Sequence, residues 1–240
     1  MTDELRQAGI PRTSVANPAI LDATQIVVDL RSRSAQAAYE PGSYDRFVKP
    51  VLDRLAAVVL SGVTLPLAVV IILAIRRTMG RPAILTQQRV GRYGKVFTMY
   101  KFRTMLPDRR RQQQPYHWPD RRTRHKTAND PRITPLGRFL RKWSLDELPQ
   151  LWNVALGQMS LVGPRPELVH IVARYEPWQH LRHLVKPGIT GIWQISARGE
   201  GLMHESTDID LQYLTRASLL TDLKILLWTV PAALGRRPGY

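Results

Sequence analysis

The chain has 240 residues, with 35 lysines and arginines against 19 acids and a formal charge of +16. That excess favours polyanionic partners (nucleic acid, an anionic membrane face, or nucleotide and lipid phosphates) without choosing among them. There is no cysteine, which excludes disulfides and thiolate metal sites. The length suits one or two domains, and the polar, acidic start MTDELRQAG lacks the pattern of a secretory signal, so the bulk of the chain is expected in the cytoplasm.

Residues 1–43 are polar and broken by Pro11, Pro18, Pro41 and Gly42, which predicts a mobile extension without chemistry. A membrane helix is placed at 51–77. Its centre, Leu55 to Ile75, carries no charge and as a helix would extend about 30 Å, enough to cross a bilayer core. Two features argue against simple spanning. Pro66 lies mid-helix, where it removes a hydrogen bond and bends the axis. Basic residues flank both ends, Lys49 and Arg54 before, Arg76, Arg77 and Arg81 after, which favours keeping both flanks in the cytoplasm. A re-entrant helix broken at Pro66 satisfies both, with Ser61 and Thr64 available to bond freed carbonyls; a spanning helix is the alternative.

Residues 83–104 predict a β-hairpin turning between Gly91 and Gly94, with Lys101 and Arg103 projecting from one face. Both cations are candidates for phosphate contact, against the plainer reading of a charged ribbon face. The stretch 106–131 is basic, with Tyr116, His117 and Trp118, and reads as a loop beside a membrane rather than a nucleic-acid surface. Ile133 to Trp143 predicts a short amphipathic helix, apolar at Leu136, Phe139 and Leu140 and basic at Arg138, Arg141 and Lys142.

The candidate centre is Ser144 to Pro166, SLDELPQLWNVALGQMSLVGPRP. Ser144 and Glu147 have capping-box spacing, but Pro149 falls past the first turn of a helix capped at Ser144. With Asp146 or Glu147 as the cap, the proline is tolerated and both acids sit where the backbone is not yet regular, able to face one pocket. Free amides there suit a phosphate, and a divalent cation, magnesium by its oxygen preference, would bridge carboxylate and phosphate. Leu148, Leu151, Trp152 and Ala155 predict a packing face. Arg165, between two prolines, is a candidate phosphate ligand held at low entropic cost, or part of a rigid surface turn. Further on, the KPGITG loop at 186–191 precedes Gln194, a candidate to face the site, and Thr207 to Leu234 reads as helical, suited to the membrane interface or to the core.

KFRTM at 101–105, RITPLGRFLRKWSLDELPQLWN at 132–153, MSLVGPRP at 159–166 and KPGITGIWQ at 186–194 closely resemble the bacterial sugar transferase family, the polyprenyl-phosphate hexose-1-phosphate or monotopic phosphoglycosyl transferases. The resemblance covers 44–240. It implies an α+β, mainly helical monotopic membrane protein with a proline-broken re-entrant helix, a small hairpin and amphipathic interfacial helices. It implies transfer of a sugar-1-phosphate from a nucleotide diphosphate sugar, UDP-linked by expectation, to undecaprenyl or decaprenyl phosphate, starting exopolysaccharide or glycoconjugate synthesis at the cytoplasmic face of the inner membrane. Asp146 matches the family's nucleophile and Glu147 its partner acid, both near magnesium. Lys101, Arg141 and Arg165 match phosphate-site positions, and Asp210 falls in a family-like segment. Membrane lipids are expected partners, nucleic acid is not, and a homo-oligomer stays open. Gln158 stands where aspartate is common, Leu65 where serine is, and Ala197 where glycine is. A non-catalytic holder of lipid phosphate or nucleotide sugar is the competing class, disfavoured by the intact acid pair.

Overall fold

The computed structural model describes residues 39, 41–106, 130, 132–196 and 207–232. Most of the extension 1–43 and the loop 106–131, with its aromatic and histidine residues, lie outside the described residues, as does Ala197. The architecture is mainly helical around a small antiparallel sheet and one long apolar helix.

That helix, α1 (Lys49–Met79), follows a π-helical turn at Tyr44–Val48 and starts with Pro50 in its first turn, where no amide partner is lost. It is longer at both ends than 51–77, and its helical assignment runs through Pro66 without interruption. Thr64 Oγ1 donates to the Leu60 carbonyl at 2.7 Å, a back-bond of the kind that bends helices. Its most apolar window has a mean hydropathy of 2.8 and is only 11% buried, so α1 is not the core helix of a water-soluble body.

Both ends of α1 dock on the same folded body. At the start, Lys49 pairs with Asp222, and Asp53 accepts from Ser160 Oγ at 2.6 Å and from the Leu161 amide at 3.3 Å. Ala57 is buried among Phe97, Met99, Leu151, Val154 and Met159. At the far end Ile71, Ile75 and Met79 pack with Ala83, Phe102 and Leu140, and Leu148 touches both clusters. Between them the apolar middle is bare, Val63 at 72% and Leu65 at 60% exposure. A straight helix of this length would separate its ends by about 46 Å.

The hairpin forms as expected: β1 (Ile84–Val90) pairs with β2 (Val96–Phe102) from Ile84↔Phe102 to Val90↔Val96. A third strand escaped the sequence reading. Glu167–Leu168 (β4) pairs antiparallel with β1, which brings the chain after Arg165 against the hairpin. The amphipathic helix α2 (Pro135–Lys142) is capped by Thr134, whose Oγ1 accepts from the Gly137 amide at 3.0 Å. A Cβ on Gly137 would collide with the Thr104 carbonyl, a backbone atom that cannot step aside. Gly137→Ala is expected to cost about 1–3 kcal/mol by overpacking, read as a lower Tm with the fold otherwise retained.

Further along, β3 (Ser160–Val162) pairs in parallel with β5 (Gly188–Thr190). The segment expected as a loop at 186–191 is therefore strand at its centre, Gly188–Thr190. A Cβ on Gly163, Gly188 or Gly191 would strike backbone of the facing segment, so these glycines let backbone meet backbone. The rest comprises α3 (Gln150–Ala155), α4 (Val169–Val172), a 3-10 helix at Pro177–Leu184, α5 (Ile192–Ser196), α6 (Thr207–Arg216) and α7 (Leu219–Pro231). The predicted tail helix is thus two. Ser218 caps the second, accepting from the Thr221 amide at 3.2 Å. α7 buries Asp222 and Ile225, and leaves Leu219, Leu220, Leu223, Leu227, Trp228 and Val230 exposed. In α3 the buried set is Gln150, Leu151, Asn153 and Val154, while Trp152, expected to pack, is 58% exposed. The helix docks on α1 and β2 together, which turns Asn153 inward and Trp152 outward.

Candidate active site

Ser144 takes a left-handed conformation (φ 54°, ψ 19°) and makes no side-chain cap, so the capping box does not form. Leu145–Glu147 is a single 3-10 turn, and regular helix begins only at Gln150 with Pro149 as its N-cap. The acids therefore stand just before α3 on tight, non-α backbone, a little further upstream of the helix than their expected place at its cap.

Glu147 is buried and clamped by two of the predicted cations. Its Oε1 accepts from Lys101 Nζ at 3.1 Å and from Arg165 Nη2 at 2.6 Å, with Arg165 Nη1 at 3.4 Å from Oε2. Asp146, half-buried, has no hydrogen bond or ion pair among the described residues. Burial and the adjacent Glu147 carboxylate push its carboxyl above the ordinary range, against the pull of Lys101, Arg165 and Arg141. Burial also lowers the Lys101 ammonium and the Arg141 guanidinium, against the opposing pull of nearby carboxylates, Glu147 for the first and Asp146 for the second. Arg141 is fixed by its Nε–H donating to Thr104 Oγ1 at 2.9 Å.

Arg103 does not join them. It lies beyond the end of β2, and its guanidinium donates to the carbonyls of Met105 (3.0 Å), Arg81 (3.1 Å) and Pro82 (3.4 Å). Strand alternation fails there because the strand has stopped. Gln194 is buried and lines the cleft that holds Glu147 and Arg165. Asp210 stands one layer back, in a buried pair with Arg182. Burial outweighs that neighbouring charge and holds its carboxyl up at about 6.

Several residues that position the site carried no motif of their own. Arg182 donates to the Arg165 carbonyl at 2.9 Å and to Tyr175 Oη at 2.6 Å; Arg89 donates to the Pro166 carbonyl at 3.1 Å. Two arginines from distant segments thus hold the backbone carbonyls of the proline-braced Arg165 and of the residue after it. Asn153, fully buried, accepts from the Tyr100 amide at 3.1 Å and donates to the Thr98 carbonyl at 2.7 Å, stitching β2 to α3 and so Lys101 to the acids. It also donates to Gln158 Oε1 at 2.7 Å, an acceptor role that aspartate at that position would share.

An open cleft of about 740 Å³ runs from Glu147, Arg165 and Gln194 past Leu148, Leu151, Ile189 and Ile195 to Leu60 and Thr64 of α1. A charged head and an apolar flank that reaches α1 suit an amphiphile with an anionic end. Because Arg165 makes a two-pronged contact that a lysine cannot reproduce, Arg165→Lys is expected to lower turnover about 10-fold or more, measured by steady-state kinetics.

The profile of the bacterial sugar transferase family matches residues 44–236. The chain belongs to the bacterial sugar transferase family. Among its relatives, the galactosyl transferase CpsE of Streptococcus agalactiae serotype III (strain NEM316) is 44% identical over 161 residues, covering 66% of this sugar transferase chain and 36% of that protein. A UDP-glucose:undecaprenyl-phosphate glucose-1-phosphate transferase of Klebsiella pneumoniae is 39% identical over 198 residues, 76% of this chain and 40% of its own. The exopolysaccharide production protein ExoY of Sinorhizobium fredii (strain NBRC 101917 / NGR234) is 33% identical over 222 residues, 87% of this chain and 98% of its own. This chain therefore spans well under half of the first two relatives and nearly all of the third.

Proposed function

We propose that this sugar transferase moves a sugar-1-phosphate from a UDP-sugar to polyprenyl phosphate, yielding polyprenyl-diphosphate-sugar and UMP for exopolysaccharide or glycoconjugate synthesis. The observation that carries the reading is Asp146, a carboxylate with no hydrogen bond among the described residues, beside a Glu147 that gathers Lys101 and Arg165. In the first half-reaction an Asp146 oxygen attacks the sugar-bearing phosphorus; its P–O bond to the uridine monophosphate breaks and UMP departs, leaving a phosphosugar-aspartate. In the second, an oxygen of polyprenyl phosphate attacks the same phosphorus and Asp146 leaves as carboxylate. Lys101, Arg141 and Arg165 offset the repulsion between anionic nucleophile and anionic substrate, and their fixed placement favours charge developing in the transition state.

Glu147 orients the two cations that touch it. Magnesium fits the acid pair as hard oxygen donors, with Asp146 open to it. No cluster of three metal-binding side chains exists among the described residues, so substrate phosphate oxygens and water would complete its shell. When bound, it would neutralise phosphate charge. The cleft that runs from Arg165 to α1 suits the lipid acceptor. Docking of both ends of α1 on one body supports a re-entrant α1, bent near Pro66, with the catalytic body on the cytoplasmic face. The exposed apolar residues of α7 support its lying at the interface.

Purified protein with magnesium, polyprenyl phosphate and a panel of UDP-sugars is expected to release UMP with one preferred sugar. No release with any donor would overturn the assignment.

A further inference from the structure

A second charged recess lies at the foot of α1, a shallow one lined by Tyr39, Asp45, Lys49, Asp53, Arg92 and Lys186. It is separate from the catalytic cleft: Asp53 and Thr64, which line the two, are 11 positions apart on α1, about 16 Å along the helix. Most of its charges are already satisfied. Lys49 pairs with Asp222, Asp53 takes the Ser160 hydroxyl and the Leu161 amide, and Asp45 takes the Tyr39 hydroxyl.

Two cations are left over. Lys186 is half-buried and has no hydrogen bond or ion pair among the described residues. Arg92 spends its Nε–H on the Leu184 carbonyl at 2.9 Å and lies 4.6 Å from the Tyr93 ring centroid, with no carboxylate partner among the described residues. Arg54 adds a third positive group nearby, its guanidinium against Gly157. Burial, then Arg54 and Arg92, push the Lys186 ammonium below its ordinary range, which is how an ammonium behaves when cations outnumber the anions that face it. A partly desolvated cation without a counter-charge is unfavourable, and a bound anion would relieve it.

The surroundings select the kind of anion. On the same turns of α1, Val51, Leu55 and Val58 are 55%, 61% and 60% exposed, so apolar surface begins where the cationic recess ends. We propose that this recess, built on Lys186 and Arg92 with Arg54 nearby, binds the phosphate of an anionic phospholipid whose acyl chains lie along the first turns of α1. The site rests on α1 being embedded in a membrane and is independent of the transfer chemistry. It would fix the depth and tilt of α1, and hence the height of the body above the bilayer.

The test is amine acylation of the full chain in nanodiscs, read by peptide mass spectrometry at Lys186. Lys224, exposed on α7, serves as the reference for general surface attraction. In discs containing phosphatidylglycerol, acylation of Lys186 relative to Lys224 is expected to slow about tenfold against pure phosphatidylcholine, the protection of a site filled at about ten times its Kd. Arg92→Gln should lose most of that protection. Arg76→Gln/Arg77→Gln, which removes two exposed charges at the far end of α1, should keep it. Equal Lys186 reactivity in the two lipids would overturn the site. So would protection reproduced in phosphatidylcholine discs by inorganic phosphate or UDP-sugar, which would assign the recess to a soluble phosphate. Should Arg92→Gln not fold, the lipid comparison on the unmodified chain decides alone. Failure of the chain to enter discs would instead overturn the membrane reading of α1.

Discussion

Asp146→Asn is expected to abolish UMP release, lowering turnover on the order of 10⁴-fold or more, as removal of a covalent nucleophile does in enzymes that depend on one. The substitution preserves size and removes only the charge and the nucleophilic oxygen. Because Asp146 makes no hydrogen bond among the described residues, the fold has little to lose, and Tm should stay within about 1–2 °C of the parent, the shift for a change of half a kcal/mol. Glu147→Gln should behave differently. It weakens the acceptor that holds Lys101 and Arg165, so both activity and stability fall together. Steady-state kinetics alongside thermal unfolding separates the two acids: one acts on substrate, the other on its neighbours.

The second large effect is expected at a residue that touches no substrate. Arg182 is only 2% exposed and paired with Asp210, 1% exposed. Asp210→Ala leaves a buried guanidinium without its anion, which costs about 3–5 kcal/mol and should lower Tm by roughly 6–20 °C. Activity should fall as well, because Arg182 is also the donor to the Arg165 carbonyl. Replacing both partners, Arg182→Met with Asp210→Leu, removes the unpaired charge and should restore most of the stability. It cannot restore the hydrogen bond to Arg165. A double variant with recovered Tm and reduced kcat/KM would show that the pair positions the phosphate-binding arginine; recovery of both would mean that it only fills the core.

What the sequence made legible follows the range over which its signals act. The hairpin, α1 and α2 rest on local pattern and turn chemistry, and they stand where periodicity put them, with α1 longer by a few residues at each end. The acids, Lys101 and Arg165 converge as spacing and resemblance suggested. Arg103 was misplaced because alternation was carried one residue past the end of β2. The β3–β5 pairing was invisible since its two segments are 28 positions apart and its glycines look the same whether they face a ligand or another backbone. Arg89 and Arg182 escaped for a related reason. In a chain with 35 basic residues, nothing local distinguishes a buried brace from a solvated side chain. Their meaning comes from carbonyls at Pro166 and Arg165, supplied by a different part of the chain.

The same geometry divides labour around the acids. Glu147 faces a cleft that continues to α1, whereas Asp146 is not among the residues that line it. A lipid phosphate arriving along that cleft would meet Arg165 and Glu147 first.

Donor alone is therefore the decisive condition. With a UDP-sugar and magnesium but no polyprenyl phosphate, the protein is expected to release about one equivalent of UMP per active site. It should gain the mass of a phosphosugar on the peptide that carries Asp146, and lose it when polyprenyl phosphate is added. No UMP before the acceptor arrives, or an unchanged burst in Asp146→Asn, would contradict the covalent account.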